Sequence, residues 1–236
     1  MKKLIPIVLA VALVLALGSG IAVATNDQGH PSAKATAQIA KLYVLSEAFT
    51  VSDDDPGWNV SLDWTCAENI LNQTIKTANQ KDLIIDVSLQ SGLYTETNVK
   101  SKGGNKDTSA AVAAVLLRVE VDDAYVAYPG MIIFNARAQV LSATLGGYLE
   151  DGNVTAEEIG LIIGTLSVNS FNFIVADLDA GVHKVEVSAL LVTFAASQTG
   201  SAKAKAVIGL GSVTIEEVRM IQGEDWCVGA DTPCPE

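Results

Sequence analysis

Few residues of this chain are placed for chemistry, since 236 residues include only two histidines and three cysteines. His183 lies in the stretch FNFIVADLDAGVHKVEV, where apolar residues alternate on both sides of a break rich in Asp and Gly. It has the parity of Val185 and Val187, which places its ring on the apolar face of a strand, beside a turn. The other histidine, His30, is remote in sequence, and one ring does not make a metal site. We therefore predict a structural role for His183, in which a ring nitrogen hydrogen-bonds a loop carbonyl or Asp177.

The cysteines do not indicate a nucleophile. A reactive thiol needs a neighbouring base, and Cys66, in DWTCAEN, precedes His183 by more than a hundred residues. Cys227 and Cys234 lie close together in the C-terminal stretch WCVGADTPCPE. Outside the cytoplasm we expect these two residues to form a disulfide, and pairing of either with Cys66 is the alternative.

Glu120 and Asp122 have a spacing that suits paired-carboxylate chemistry. They share a strand face and lie about 7 Å apart by strand rise, as the two acids of a glycosidase can. Arg118 precedes them on the same face. A solvated outer face is the simpler interpretation, so we predict no catalytic residues.

The segment DGNVTAEE, residues 151–158, resembles the second half of a calcium loop. In that interpretation Asp151, Asn153 and Glu158 are candidate metal ligands. The first half of the loop does not fit, because Gly147 and Leu149 stand at its ligand positions and supply no side-chain oxygen. We expect no cofactor, with weak structural binding of Ca²⁺ as the alternative.

The N-terminal sequence MKKLIPIVLAVALVLALGSGIAVA is typical of a secretory signal peptide. Lys2 and Lys3 form a basic start, residues 4–17 are apolar, and residues 22–24 have the small side chains of a cleavage site. The apolar run is short for a membrane span, and no later segment is long enough for one. We predict cleavage after Ala24 and a secreted, extracellular protein, with an uncleaved N-terminal anchor as the alternative.

Composition excludes several classes of protein. The chain is 49% hydrophobic and 18% charged, which is typical of a folded globular domain. Its formal net charge of −12 and pI near 4.5 leave no basic stripe for nucleic acid. Three cysteines are too few to staple a scaffold of this length, so a hydrophobic core must hold the fold.

Apolar residues alternate with period two through most of the chain, which is typical of strands with one buried face. Strands are expected near residues 41–50, 69–77, 82–90, 111–122, 131–142, 159–168, 171–176, 182–197 and 204–221. Turns such as KSKGGNKD and LEDGN separate them. The pattern predicts an all-β fold, an antiparallel, jelly-roll-like β-sandwich.

Two details of this pattern are ambiguous. Residues 159–168 also have helical spacing after a capping box, but two glycines and several β-branched residues favour a strand. The parity change across Glu216-Glu217 predicts a β-bulge there. The predicted organisation is a signal peptide (1–24), a flexible leader (25–40), the sandwich domain (41–222) and a cysteine-containing tail (223–236).

Two blocks resemble parts of known secreted proteins. They are KTANQKDLIIDVSLQSGLYTETNVKSKGG (residues 76–104) and NSFNFIVADLDAGVHKVEVSA (residues 169–189). The resemblance is to archaeal and bacterial β-sandwich proteins without an assigned function, and it extends over residues 65–225. It implies a secreted β-sandwich and transfers no catalytic residue.

These features together predict a non-enzymatic protein of the cell surface or extracellular matrix with a structural or adhesive role. Its partner is expected to be a protein or a glycan. One alternative is a self-assembling fibre or sheath subunit, a homo-oligomer in which residues 25–38 add a strand to a neighbour's sheet edge. A jelly-roll enzyme acting on glycosides is the second alternative.

Overall fold

The computed structural model describes residues 35–52, 58–101 and 103–219. The predicted signal peptide, residues 25–34 of the predicted leader, and the predicted disulfide between Cys227 and Cys234 lie outside these residues. They stay predictions.

The described part of the chain consists of antiparallel strands joined by short turns, and none of it is helical. The strands are β1 (Ala35–Ser52), β2 (Asn59–Thr77), β3 (Lys81–Ser101), β4 (Lys106–Val121), β5 (Tyr125–Val126), β6 (Ile132–Thr144), β7 (Tyr148–Glu150), β8 (Asn153–Thr155), β9 (Glu157–Leu178), β10 (Gly181–Ser197) and β11 (Gly200–Val218). A search of these residues for a helix able to cross a membrane finds none.

Two sheets pack face to face. Sheet A has the order β1-β11-β3-β9, and sheet B has the order β2-β10-β4, with β5 and β6 both pairing with β4. The strands β7 and β8 form a separate hairpin. The prediction of an all-β, antiparallel, jelly-roll-like sandwich is therefore confirmed.

The structure corrects several predicted boundaries. The strand β1 begins at Ala35 and pairs with β11 from there, so residues 35–40 are not part of a flexible leader. Residues 159–168 form a strand, as predicted, but they continue through 171–176 as the single strand β9. The predicted bulge at Glu216-Glu217 is wrong. The register of β11 shifts between Ile208 and Gly211 instead, and the parity changes at Glu216 because the strand leaves the core there.

The hydrophobic core fills the space between the inner faces of the two sheets. Alternate residues of β3, β9 and β11 meet those of β4 and β10, and most of them are completely buried. Phe173 of β9 is among the largest of these side chains. Burial of alternate residues on both sheets explains the period of two in the sequence.

A row of polar side chains on β6 closes one side of the sandwich. Asn135, Arg137 and Gln139 alternate along the inner face of β6 and reach across to β3 and β9, with hydrogen bonds of 2.7 to 3.3 Å. Their partners are Ser91, Leu93, Thr95, Thr97, Leu161, Ile163, Thr165 and Ser167. Two of these bonds end on backbone carbonyls of β9, at Leu161 and Ile163, so side chains of the same chain occupy groups on that strand.

The opposite side of the sandwich is closed in the same way between β1 and β2. The Asp63 carboxylate accepts hydrogen bonds from the Ser46 hydroxyl (2.9 Å) and from the Glu47 amide (3.1 Å). Further bonds run from Thr65 to the Leu45 carbonyl, from the Asn72 amide to Gln38, and from Gln73 to the Ala37 carbonyl. Backbone groups of both edge strands are therefore engaged by side chains.

These contacts predict a measurable shift at Asp63. The hydrogen bond from Ser46, and then the one from the Glu47 amide, lower the pKa of the Asp63 carboxyl below its ordinary value of 3.8. A lowered carboxyl pKa favours the folded state above the ordinary value, and this contribution disappears as the pH falls through the lowered pKa. We expect Ser46→Ala to raise the pKa of Asp63 towards 3.8, measured by NMR titration of the side-chain carboxyl carbon.

The matched control is Thr65→Val, which removes a β1–β2 hydrogen bond that does not involve Asp63. It should leave the pKa of Asp63 unchanged. If Asp63 has the same pKa in the wild type and in Ser46→Ala, the Ser46 hydroxyl does not lower the pKa of this carboxyl group.

Candidate functional site

His183 lies at the inner edge of the core, as its parity predicts. Its ring is buried, with Nδ1 at 2.7 Å from Asp122 Oδ2 and Nε2 at 2.8 Å from the carbonyl oxygen of Asp179. The Thr77 hydroxyl lies 3.2 Å from Nε2. The loop-carbonyl partner matches the prediction, and the acidic partner is Asp122 instead of Asp177. The ring thus ties together the ends of β2, β4 and β9, which meet at this corner of the sandwich.

We predict that His183→Ala lowers the free energy of unfolding by about 1–3 kcal/mol, because it removes packing and leaves the loop groups without a partner. Denaturant unfolding measures the change. The neighbouring Val182→Ala, at a side chain that is 54% exposed, is the matched control and should cost less than about 0.5 kcal/mol. Full stability of His183→Ala combined with lost binding would instead make the histidine a functional residue.

The candidate calcium ligands lie on a hairpin and the strand after it. Asp151 and Gly152 form the two-residue turn between β7 and β8, with φ of 49° and 81°, as a type I′ hairpin turn requires. Asn153 starts β8, and Glu158 lies on β9, where its carboxylate accepts a hydrogen bond from Asn98. Within the described ranges, no three His, Cys, Asp or Glu side chains are grouped so that they could hold a metal ion. The segment is not the continuous loop of a calcium hand.

The candidate pair of Glu120 and Asp122 is separated by the backbone. Asp122 has a φ of 55° and its carboxylate binds His183 and the Lys184 amide, so it faces the corner of the sandwich. Glu120 faces outward and lies directly opposite Glu186 of β10. The carboxylates that come together on sheet B are therefore Glu120 and Glu186, on neighbouring strands.

These two carboxylates line a pocket of about 370 Å³ on the outer face of sheet B. Each has a cation beside it, with Arg118 at 2.5 Å from Glu120 and Lys184 at 2.6 Å from Glu186. The ion pair with Glu186 raises the pKa of the Lys184 amine. Each acid of the pair therefore has a cation within ion-pair distance.

The pocket borders a surface that we name the apolar face. It is the rest of the outer face of sheet B, where four rows of side chains cross β2, β10, β4 and β6 in register. The rows are Val60-Ala196-Ala110-Val140, Leu62-Phe194-Val112-Ala138, Trp64-Val192-Ala114-Ala136 and Cys66-Leu190-Leu116-Ile133. No row contains a charged or hydrogen-bonding side chain apart from the Trp64 indole and the Cys66 thiol. Trp64 is 72% exposed and Ile133 is 70% exposed.

The outer face of sheet A has a different composition. Its two central strands, β3 and β11, present charged and hydroxyl side chains in most rows, and Lys203 and Lys205 both form ion pairs with Glu47. Apolar side chains such as Ile84 and Val207 interrupt this polar surface but are only partly exposed. Exposed apolar side chains of that face lie on the edge strands β1 and β9, apart from Leu210 at the register shift of β11. Antiparallel sandwiches normally keep their solvent-facing sides polar, so the apolar face of sheet B is the exception that indicates a contact surface.

The sequence contained a signal for this surface. In residues 109–117, SAAVAAVLL, apolar residues occupy both parities, which is typical of a strand covered on both faces. In VSLDWTC the apolar residues alternate, but they face outward instead of inward. Alternation alone does not distinguish these two orientations, so the surface was missed.

Comparison with known proteins yields no family. No family model matches the chain, and no curated protein matches its sequence. Among solved structures, the module TmCBM61 in complex with β-1,4-galactotriose is similar at 14% identity over 75% of this chain and 86% of that chain, with a TM-score of 0.16. The infectious bursal disease virus Gx strain structure is similar at 10% identity over 84% of this chain and 46% of that chain, with a TM-score of 0.19.

Proposed function

We propose that this chain is a secreted, non-enzymatic protein of the cell surface or extracellular matrix, and that it acts in structure or adhesion through the apolar face. The observation that supports the proposal is the contrast between the two outer faces of the sandwich. One carries charged side chains on its two central strands, and the other has four apolar rows without a charge.

The size of the apolar face supports a contact surface. Four strands spaced by about 4.8 Å and four rows spaced by about 6.8 Å cover on the order of 500 Å². Apolar patches of this size on monomeric proteins are usually functional. Covering it would remove on the order of 12 kcal/mol of unfavourable apolar hydration, before the entropic cost of association.

Strand addition at a sheet edge is the competing mode of assembly. It is less favoured here, because side chains from the opposite sheet already bind backbone groups of β1 and β9. Residues 35–38, part of the predicted donor segment, pair with β11 of their own chain. The apolar face needs no rearrangement to meet a partner.

The partner class that fits the apolar face is a protein surface. Glycans are recognised through hydrogen bonds as well as stacking, and the four rows offer scarcely any polar groups. An enzymatic role is disfavoured because the paired carboxylates of the neighbouring pocket are each bound to a cation. We therefore assign the binding role to the apolar face and not to the pocket.

The proposal is tested by retention of the exported protein on the cells that make it. Leu62→Lys places a charge in the second row of the apolar face, and Thr214→Lys places the same charge on the outer face of sheet A. We expect Leu62→Lys to move the protein from the cell-bound fraction to the medium, and Thr214→Lys to leave it cell-bound. Equal retention of both variants would contradict the proposal.

A further inference from the structure

We infer that the apolar face is covered by a second copy of this chain, packed face to face about a two-fold axis parallel to the strands. The inference rests on the proposed function and names its partner. Pairing presents two copies of the remaining surface to the cell, so loss of the pair lowers retention through lost avidity. It is drawn from the size of the face, the distribution of large and small side chains across it, and the charge at its end.

The apolar face is large enough for a specific interface. Two faces of on the order of 500 Å² each bury about 1,000 Å² together, which is the lower limit for a specific protein interface. Sheets pack in this way when flat apolar faces meet about 10 Å apart. An interface at this limit is expected to be reversible, with a dissociation constant on the order of micromolar.

The apolar faces of two copies are complementary in shape. In the two middle rows the large side chains lie on β2, at Leu62 and Trp64, and the small ones on β6, at Ala138 and Ala136. The outer rows carry apolar side chains on both edge strands, with Val140 and Ile133 on β6. A two-fold axis parallel to the strands places β2 of one copy over β6 of the other and keeps the rows aligned. Trp64 then lies over the partner copy's Ala136, and Leu62 over its Ala138. The two central strands, β10 and β4, exchange places in the same way, so that Ala196 lies over Ala110.

The alternative axis, perpendicular to the strands, places β2 over β2. The large side chains of the two copies then collide at one edge, and the alanines of β6 leave a gap at the other. Close packing is what distinguishes specific interfaces, so the parallel axis is favoured.

The charge at the end of the apolar face predicts how association depends on salt. The pocket that ends the apolar face is lined by two cations, Arg118 and Lys184, and four carboxylates, a net charge of −2. In the proposed pair these pockets lie at the same end, and the whole chain also has a net charge of −12. Salt screens this repulsion, so association should tighten as salt is added. An association held by opposite charges would weaken as salt is added.

The experiment measures the dissociation constant by sedimentation equilibrium of the exported protein, from about 1 μM to about 1 mM. Leu62→Asp and Ala138→Lys each bury a charge in the pair and should each weaken it at least about 100-fold. Because Leu62 of one copy lies over Ala138 of the other, the double variant brings Asp and Lys together. It should recover at least about tenfold of the lost affinity.

Thr214→Lys, on the outer face of sheet A, is the matched control and should associate like the wild type. Both substituted positions of the test variants are exposed, and circular dichroism melts of the variants check that they fold. If the double variant associates as weakly as the single variants, the two-fold axis is not parallel to the strands. If the wild-type protein stays monomeric at the highest concentration, a second copy is not the partner. The retention assay tests the proposed function independently of this result.

Discussion

Phe173→Ala is expected to lower the free energy of unfolding by about 3–5 kcal/mol. The Phe173 side chain is completely buried on β9, where it lies opposite Ile85 of β3 within the main core. Its ring also meets that of Phe171 edge to face, with centroids 5.1 Å apart. Removing it leaves a cavity between the two sheets that the surrounding strands, fixed by their ladders, can fill only in part. Urea unfolding monitored by circular dichroism measures the loss.

The matched control is Phe171→Ala, two residues away on the same strand. Phe171 is 38% exposed, so its removal should cost about 1–2 kcal/mol, mainly the ring contact and partial burial. Equal losses at the two positions would show that Phe173 does not occupy the core position described.

Gly200→Ala is the second large effect, with an expected loss of about 3 kcal/mol or more. Gly200 begins β11 with a φ of 93°, a conformation that disfavours any side chain. A methyl group at this position would also lie 2.5 Å from the backbone carbonyl oxygen of Asn98, which the pairing of β3 with β11 holds in place. Thermal unfolding of the variant measures the combined cost of backbone strain and collision.

Gly152→Ala separates these two contributions. Gly152 has a φ of 81°, but a methyl group there would meet no atom within 4 Å. It should therefore show the backbone cost alone, about 1 kcal/mol. A Gly200→Ala variant as stable as Gly152→Ala would mean that the end of β3 moves freely away from the new methyl group.

The fold class could be derived from the sequence because burial of one strand face produces a period of two. This held for β4, β10 and β11, where Val119, Val187 and Val213 mark the inner face. It failed for the second half of β3, because Thr95 and Thr97 face inward and bind Gln139. Polar residues that satisfy one another inside a sandwich remove the alternation on which strand prediction depends.

The corner around His183 was only partly predictable. Parity within β10 placed the ring inward, because alternation is a local property of one strand. Its bond to Asp122 depends on the positive φ of that residue and on the pairing of β4 with β10, which are set by contacts distant in sequence. The same contacts separate Glu120 from Asp122 and bring Glu120 to Glu186, a neighbour that sequence spacing does not reveal.

The apolar face was not predicted because alternating apolar residues are consistent with side chains that face inward and with side chains that face outward. Val60, Leu62 and Trp64 resemble core residues by pattern, and only the pairing of β2 with β10 shows that they face outward. The apolar residues on both parities of β4 were the more informative signal, since a strand at the surface of a sandwich needs only one apolar face.

The most direct test of the proposed function is photo-cross-linking of the protein on the cells that produce it. A photoreactive phenylalanine analogue at Leu62 probes the apolar face, and the same residue at Thr214 probes the outer face of sheet A. We expect an efficient cross-link from Leu62 to a peptide of β6 from a second copy, and none from Thr214. Cross-linking from Thr214 alone would contradict the claim that this protein binds its partner through the apolar face of sheet B.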